Sequence, residues 1–334
     1  MNHKRRNFIQ TAIAASLGIP FMGSDLFSDS LLSNQKIRIS LQCYSFASSL
    51  FTKKMNIIDF PKVVREDFNI EAAEYWNSPM IDKRKDLNFI RELKMRTNDY
   101  GIENTFMLVD LINYQTGESK SLCSNDKIER GIAIEEHKQW IEFSKSIGCK
   151  GIRANLWSDK MTASEVKSIS EDSLGELLEF SNKIDMSIMI ENHGGYTSDA
   201  KWLTNLIKSI DHPKLGTLPD FGTRNFCIKT APKSESEIFG SQCVNQYDKY
   251  IGVEEMLPYA MGISAKSHSF KNDGEEISTD YKKMINLIKA STFKGYIAIE
   301  YEGAIMGLYG KDSSEYLSPT EGVLATKKLI EKYI

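Results

Sequence analysis

The sequence lacks several features that mark common functional classes. Its 334 residues carry 42 basic and 45 acidic side chains, a net charge of −3, so there is no basic excess for nucleic acid. Past the N-terminus there is no run of about 20 apolar residues, so we expect no stable membrane insertion. No Gly-x-Gly-x-x-Gly motif follows the first predicted strand, which argues against a dinucleotide-binding fold.

Cysteine is also sparse. The five cysteines include no Cys-x-x-Cys pair, which argues against a zinc ribbon or a disulfide scaffold. Cys43 and Cys149 lie in apolar, strand-like runs and are expected to be small core residues. Cys227 and Cys243 share one long loop, and whether they form a disulfide bond after export stays open.

The N-terminal segment differs in character from the rest of the chain. Three basic residues at 4–6 precede an apolar stretch at 12–21, an arrangement typical of an export signal. The residues Arg-Arg-Asn-Phe-Ile at 5–9 resemble a twin-arginine signal. We therefore predict an export signal over residues 1–30, the twin-arginine export machinery as a partner, and a periplasmic location. A disordered basic tail is the alternative interpretation.

From residue 36 onward, strand-like apolar runs alternate with helical patterns. The predicted strands are 37–44, 70–76, 102–109, 149–157, 185–192, 215–220, 262–269 and 295–302. The clearest predicted helices are 85–100, 128–147, 163–184, 199–210, 279–291 and 319–333. This alternation predicts an α/β fold, a (β/α)₈ TIM barrel in a single domain over residues 36–334. A doubly wound open sheet is the alternative.

The alternation of side chains within the strands supports a barrel. In the eighth predicted strand, Glu300 and Glu302 share one face, opposite Ile297 and Ile299. In such strands one face is apolar enough to pack on helices, and the other becomes polar toward the C-terminal end, where a TIM barrel has its active site. Three long loops follow strands at this end and are predicted to act as lids or substrate walls, with surface decoration as the alternative: 45–56, 110–127 and 221–247.

Side chains of the metal-ligand type end four separate predicted strands: Glu191, Asp220, His268 and Glu300. Because the C-terminal ends of barrel strands meet at one mouth, these four groups could converge on one point. Three carboxylates and one imidazole form an oxygen-rich set that suits Mn²⁺, Mg²⁺ or Co²⁺ better than a thiolate zinc site does. A salt-bridge network with Lys266 and Arg153, without a metal, is the alternative.

These residues resemble the xylose-isomerase-like (β/α)₈ barrels, which include sugar and sugar-phosphate isomerases, epimerases and an apurinic endonuclease branch. The resemblance spans about residues 36–334, and four motifs carry it: Ile-Glu-Asn-His-Gly-Gly at 190–195, Leu-Pro-Asp-Phe-Gly at 218–222, Ser-Ala-Lys-Ser-His at 264–268 and Ile-Glu-Tyr-Glu-Gly at 299–303. In the ketose epimerases of this family, a Glu, Asp, His, Glu set in this order binds one metal. The resemblance therefore implies one divalent cation, Mn²⁺ first, on the matching residues Glu191, Asp220, His268 and Glu300.

The activity that the resemblance implies is that of a metal-dependent sugar isomerase or epimerase, which removes a proton beside a carbonyl and passes through an enediolate. Glu191 and Glu300 would act as general base and acid. Lys266 or His193 would donate to the developing oxyanion. The remaining predicted substrate-binding residues would bind hydroxyls or stack on a sugar ring: Gln42, Glu74, Arg153, Asn155 and Trp157.

Departures from the family keep other activities open. Ketose epimerases carry a sugar-binding Glu, His and Arg a few positions after their metal ligands. The corresponding positions of this chain hold polar or small residues such as Thr197, Thr223 and Gly274. Exported relatives of this branch are associated with keto sugars and glycosides, so a 3-keto-glycoside lyase or hydratase using the same site is an alternative. A non-catalytic sugar-binding barrel is another. The expected partner is thus a small sugar or glycoside, and a homo-oligomer is compatible with the sequence.

Overall fold

The computed structural model describes residues 37–113, 116–158, 161–231 and 242–334. The described part of the chain forms one compact unit. Within it, no helix has both the length and the apolar character needed to cross a membrane. The export signal predicted over residues 1–30 lies outside the described residues.

Eight parallel strands form the central sheet: β1 (Arg38–Gln42), β2 (Ala72–Trp76), β3 (Glu103–Leu108), β4 (Gly151–Ala154), β5 (Ser187–Glu191), β6 (Leu215–Leu218), β9 (Ile263–Ser267) and β10 (Tyr296–Tyr301). Strands β7 (Cys227–Thr230) and β8 (Cys243–Gln246) form a separate hairpin. The sheet order is β6-β5-β4-β3-β2-β1-β10-β9. Parallel bridges between Thr217 and Ala260 and between Asp220 and Ser264 join the two edges. The sheet therefore closes, which confirms the predicted TIM barrel.

The register of the strands determines which polar side chains become neighbours. In the β9–β10 pair, Glu300 lies opposite Lys266. In the β1–β2 pair, Gln42 lies opposite Glu74. Paired residues of adjacent strands point to the same face of a sheet, so each pair brings a carboxyl group beside a nitrogen donor.

Helices follow most strands of the barrel. In the described residues they are Ala47–Phe51, Phe60–Glu66, Leu87–Asp99, Lys127–Ser146, Ala163–Lys183, Ala200–Ile210, Lys249–Met256, Tyr281–Ala290 and Pro319–Tyr333. All six predicted helices are confirmed. The three that were not predicted have only 5, 7 and 8 residues, too few for an apolar stripe to repeat along the helix.

Local sequence explains where the long helices begin. Thr162 and Glu165 form a capping box at the start of Ala163–Lys183, and Ser318 and Glu321 form another before Pro319–Tyr333. Such boxes satisfy backbone N–H groups that have no partner inside the helix. The long helices then bury apolar side chains against the sheet, which places the main core between the barrel and its helices.

The long loop after β6 has structure of its own. Its first residues form the short 3₁₀ turn Thr223–Phe226, and the hairpin of β7 and β8 follows. A disulfide bond joins Cys227 to Cys243 across this hairpin, which resolves the pairing that the sequence left open. Cys43 and Cys149 are free and buried, as predicted.

Candidate active site

Three carboxylates meet at the C-terminal mouth of the barrel. Glu191 ends β5, Asp220 lies just after β6, and Glu300 lies near the end of β10. Each offers one oxygen atom, and these atoms lie within 4.8 Å of one another. All three side chains are buried. The structure thus brings together three of the four predicted ligands, in a group that could hold a metal ion.

Neighbouring backbone and side chains hold these carboxylates in place. Asn192 accepts a hydrogen bond from the Asp220 backbone N–H at 2.8 Å and donates its amide to the Asp220 carbonyl at 3.2 Å. The Gly222 N–H donates to Asp220 Oδ1 at 2.5 Å, and a Cβ at Gly222 would lie 2.9 Å from that same oxygen. The Ser264 hydroxyl donates to Glu300 Oε2 at 2.5 Å. The carboxylates are therefore oriented before any ligand arrives.

Lys266 places its ammonium group among the carboxylates. Its Nζ lies 3.2 Å from Asp220 Oδ2, 3.4 Å from Glu300 Oε2 and 3.1 Å from Glu302 Oε1, and the side chain is 4% exposed. Burial alone would lower the pKa of Lys266, but the surrounding carboxylates outweigh it and raise that pKa well above its usual value. The ammonium is thus charged and paired with carboxylates of the protein, and its predicted contact with substrate remains a prediction.

His268, the predicted fourth ligand, does not belong to the carboxylate group among the described residues. Its Nε2 lies 3.2 Å from Glu302 Oε2, and its side chain is 33% exposed. Lys266 is the residue level with Glu300 in the strand register, and His268 follows two positions later. Two strand residues span about 6.6 Å, so the imidazole lies further out of the barrel. A ligand role for His268 remains a prediction.

A second cation, Arg153, lies on the opposite side of the cluster. Its Nη1 is 2.6 Å from Asp110 Oδ1, and its Nε is 2.9 Å from Glu191 Oε2. Asp110 also accepts hydrogen bonds from the Trp76 indole at 2.8 Å and from the Asn155 amide at 2.9 Å. Burial would raise the pKa of Asp110, but Arg153 lowers it below its usual value. Arg153 and Asn155, both predicted to bind substrate, are therefore engaged by Asp110.

The other predicted substrate-binding residues lie at two depths. His193 and Trp157 are exposed, Trp157 by 48%, and both follow strand ends at the mouth. Gln42 and Glu74 are fully buried inside the barrel, where Ser40 Oγ donates to Glu74 Oε1 at 3.1 Å. Burial raises the pKa of Glu74 to about 8. Glu74 is therefore a protonated acid at neutral pH rather than a carboxylate.

The charges of the cluster are not balanced by the protein. Two cations, Arg153 and Lys266, face five carboxyl groups: Asp110, Glu191, Asp220, Glu300 and Glu302. Burial and neighbouring carboxylates raise the pKa of Asp220 and of Glu300 despite Lys266. Glu191 Oε2 and Asp220 Oδ2 are approached by the cations but have no hydrogen bond within the described structure. A deficit of positive charge and two such oxygens fit a divalent cation.

Sequence reasoning missed three residues of this cluster. Asp110 directly follows the predicted strand 102–109, so extending the search for carboxylates at strand ends by one residue would have found it. Glu302 shares a strand face with Glu300 but was given no role. Asn225 donates its amide to Glu191 Oε1 at 3.1 Å from the turn after β6, and no pattern in that loop indicates this contact.

Comparison with known proteins agrees with the barrel fold. Residues 64–322 match the family model described as xylose isomerase-like TIM barrel. No curated protein matches the chain in sequence. A structure of IOLI protein with a bound zinc atom matches with a TM-score of 0.62 and 14% identity, over 89% of this chain and 99% of that one.

Two further solved structures are enzymes that act on sugars. An L-ribulose 3-epimerase matches with a TM-score of 0.62 and 12% identity, over 89% of this chain and 96% of that one. The 3-keto-D-glucoside 4-epimerase YcjR from E. coli, in its apo form, matches with a TM-score of 0.60 and 13% identity, over 88% of this chain and 100% of that one. At these identities the likeness shows a shared fold.

Proposed function

The chain belongs to the xylose isomerase-like TIM-barrel family, and we propose that it is a sugar isomerase or epimerase that moves a proton at the carbon beside a carbonyl. The observation that carries this proposal is the group of three buried carboxylates within 4.8 Å at the barrel mouth, which can serve as cation ligands and as acid–base groups. The epimerases that share the fold support a sugar as the substrate.

The proposed cofactor is one divalent cation held by Glu191, Asp220 and Glu300. The oxygen donors favour Mn²⁺, with Mg²⁺ or Co²⁺ as alternatives, and the zinc in the IOLI structure supports a divalent ion in this fold. When bound, the ion would supply a Lewis acid that polarises the sugar carbonyl. Because His268 Nε2 contacts Glu302, the ring would complete the ligand set through Nδ1 or after moving away from Glu302.

The protein groups have separate proposed tasks in the proton transfer. Glu191 and Glu300 reach the cluster from β5 and β10, so a sugar carbon held there would meet two carboxylates. One would remove the proton beside the carbonyl, and the other would return a proton to the enediolate. Arg153 and Lys266 supply positive charge near the negative charge that develops on the sugar oxygens.

A 3-keto-glycoside lyase or hydratase is the second candidate. Removal of a proton beside a carbonyl also allows a substituent on the next carbon to leave, and the same carboxylates would serve. The likeness to a 3-keto-D-glucoside epimerase favours a substrate of this class. We further propose, from residues 1–30 alone, that the twin-arginine machinery exports the protein to the periplasm.

Solvent-proton exchange tests the proposal. The protein is incubated in D₂O with Mn²⁺ and a panel of free ketoses and 3-keto-glycosides. Deuterium beside the carbonyl together with an epimer or isomer is the expected result, and release of the aglycone would identify the lyase instead. Sugar binding without any exchange would identify a non-catalytic barrel and overturn the proposal.

Substitution of Glu300 tests its role directly. Glu300→Gln should lower the exchange rate by about 1000-fold and preserve sugar binding, because it removes a proton acceptor and keeps the shape. Glu179→Gln is a matched control, since that glutamate is 74% exposed and pairs with a surface lysine. An unchanged exchange rate in Glu300→Gln would exclude Glu300 as the base.

A further inference from the structure

We propose that Lys266 is a built-in competitor of the metal, an ammonium that holds the acidic cluster together until a divalent cation displaces it. The inference rests on the proposed function only in that it takes Glu191, Asp220 and Glu300 to be the cation ligands. It gives Lys266 a role different from the substrate contact that the sequence predicted.

The Lys266 ammonium contacts the same carboxylates that a metal would use. Two of its three partners, Asp220 at 3.2 Å and Glu300 at 3.4 Å, are also members of the metal group. The ammonium and a divalent cation would therefore share the same carboxylates. Two cations at such a short separation repel each other strongly in a buried site, so tight binding of one disfavours the other.

The third contact of the ammonium, with Glu302, gives it a partner that it can keep when a metal binds. Glu302 Oε1 lies 3.1 Å from Lys266 Nζ, and Glu302 is outside the metal group. Lysine carries its charge on a flexible four-carbon chain, so the ammonium can keep Glu302 as a partner after it leaves Asp220 and Glu300.

The structure leaves space for the Lys266 side chain beside the carboxylates. A Cβ at position 222 would lie 2.9 Å from the Lys266 Cδ, so the glycine there leaves room for the chain. The strand register sets Lys266 opposite Glu300, level with the metal group. The ammonium therefore lies next to the carboxylates that a metal would use. A site built this way is assembled without a metal and binds one more weakly than the bare carboxylates would.

Calorimetric titration with MnCl₂ tests the inference without any substrate. Lys266→Met in the full chain should bind Mn²⁺ about 100-fold more tightly than the wild type does, because a competing charge is removed. Lys214→Met is the matched control: it removes the same charge at the other end of the barrel, where Lys214 pairs with Asp185 on the surface, and should leave the affinity unchanged. Equal or weaker binding by Lys266→Met, or no binding by either protein, would overturn the inference.

A second measurement needs no variant and so does not depend on whether Lys266→Met folds. In crystals of the wild type soaked in MnCl₂, anomalous scattering should locate the ion at the three carboxylates, with Lys266 Nζ withdrawn from Asp220 and Glu300 and still beside Glu302. An ion bound there with Nζ still 3.4 Å from Glu300 would contradict the inference.

The two proposals fail in different ways. If Lys266→Met binds Mn²⁺ tightly but no sugar exchanges a proton with solvent, the proposed function is wrong and the competition stands. If sugars exchange and the affinity is insensitive to Lys266, the competition is wrong and the function stands.

Discussion

The acidic cluster has two sides, each built around one buried cation. The arginine side consists of Asp110, Arg153 and Glu191, and the lysine side of Asp220, Lys266, Glu300 and Glu302. On both sides burial acts to lower the pKa of the cation, and the carboxylates outweigh burial and raise it. Both cations therefore remain charged, but they are held in different ways.

Arg153 is anchored to the barrel backbone as well as to carboxylates, whereas Lys266 is held by its carboxylate partners. The Arg153 Nη1 also donates to the Val109 carbonyl at 3.1 Å, and Asp110 is itself fixed by Trp76 and Asn155. A planar guanidinium with several directed contacts cannot leave one partner without breaking others. The ion pairs of Lys266 are all to carboxylates, at 3.1 to 3.4 Å. The difference separates a permanent cation from a replaceable one.

The largest effect that would test this difference is on stability. Without metal, Arg153→Met and Lys266→Met should each lower the free energy of unfolding by about 3–5 kcal/mol, because each leaves buried carboxylates without a partner. Mn²⁺ should restore most of the loss in Lys266→Met and little in Arg153→Met. Urea unfolding with and without Mn²⁺ measures this. Equal recovery in both variants would show that the two cations are equivalent.

Glu74 contrasts with the paired carboxylates, because a neutral hydroxyl, that of Ser40, donates a hydrogen bond to its Oε1. Its pKa is raised from 4.5 to about 8 by burial, so the folded protein keeps a proton that the unfolded chain loses. This contribution to stability is complete below pH 4.5 and is lost as the pH rises to about 8. Between about pH 5 and 7, wild-type stability should fall by about 1.4 kcal/mol per pH unit more than that of Glu74→Gln. Parallel slopes in urea unfolding at several pH values would contradict this.

The smallest expected effect comes from Asn225, which holds Glu191 on the arginine side of the cluster. Asn225→Ala removes the amide that donates to Glu191 Oε1 at 3.1 Å, so we expect kcat for the exchange reaction to fall by about 10-fold with little change in KM or thermal stability. Asn245→Ala is the matched control, because that asparagine lies exposed in β8 of the adjoining hairpin. A loss of stability instead of kcat would mean that Asn225 supports the loop and not Glu191.

The barrel could be predicted from sequence because its strands and long helices have strong local patterns. Strands such as Ile297–Ile299 are buried and read as apolar runs, and helices of 10 residues or more repeat their apolar stripe. Strand alternation also identified the polar ends at Glu191 and Glu300.

The depth of each side chain in the mouth could not be predicted. Lys266 and His268 share one strand face, and alternation alone does not say which is level with Glu300. Which residue of β9 lies level with Glu300 depends on the stagger between β9 and β10, and this stagger is defined only once the barrel is assembled. For the same reason the sequence did not show that Lys266 lies level with Glu300, and it did not show the contact from Asn225, which depends on loop geometry.

The closure of the barrel has a consequence for how the site depends on the fold. The seam between β6 and β9 has isolated bridges in place of a continuous ladder, and one of them joins Asp220 to Ser264. Ser264 in turn orients Glu300 through its hydroxyl. Residues that close the barrel at this seam are thus the same ones that orient the carboxylates of the candidate site. A ligand bound by both Asp220 and Glu300 would connect the two sides of this seam. Ligand binding and closure of the barrel would therefore stabilise each other.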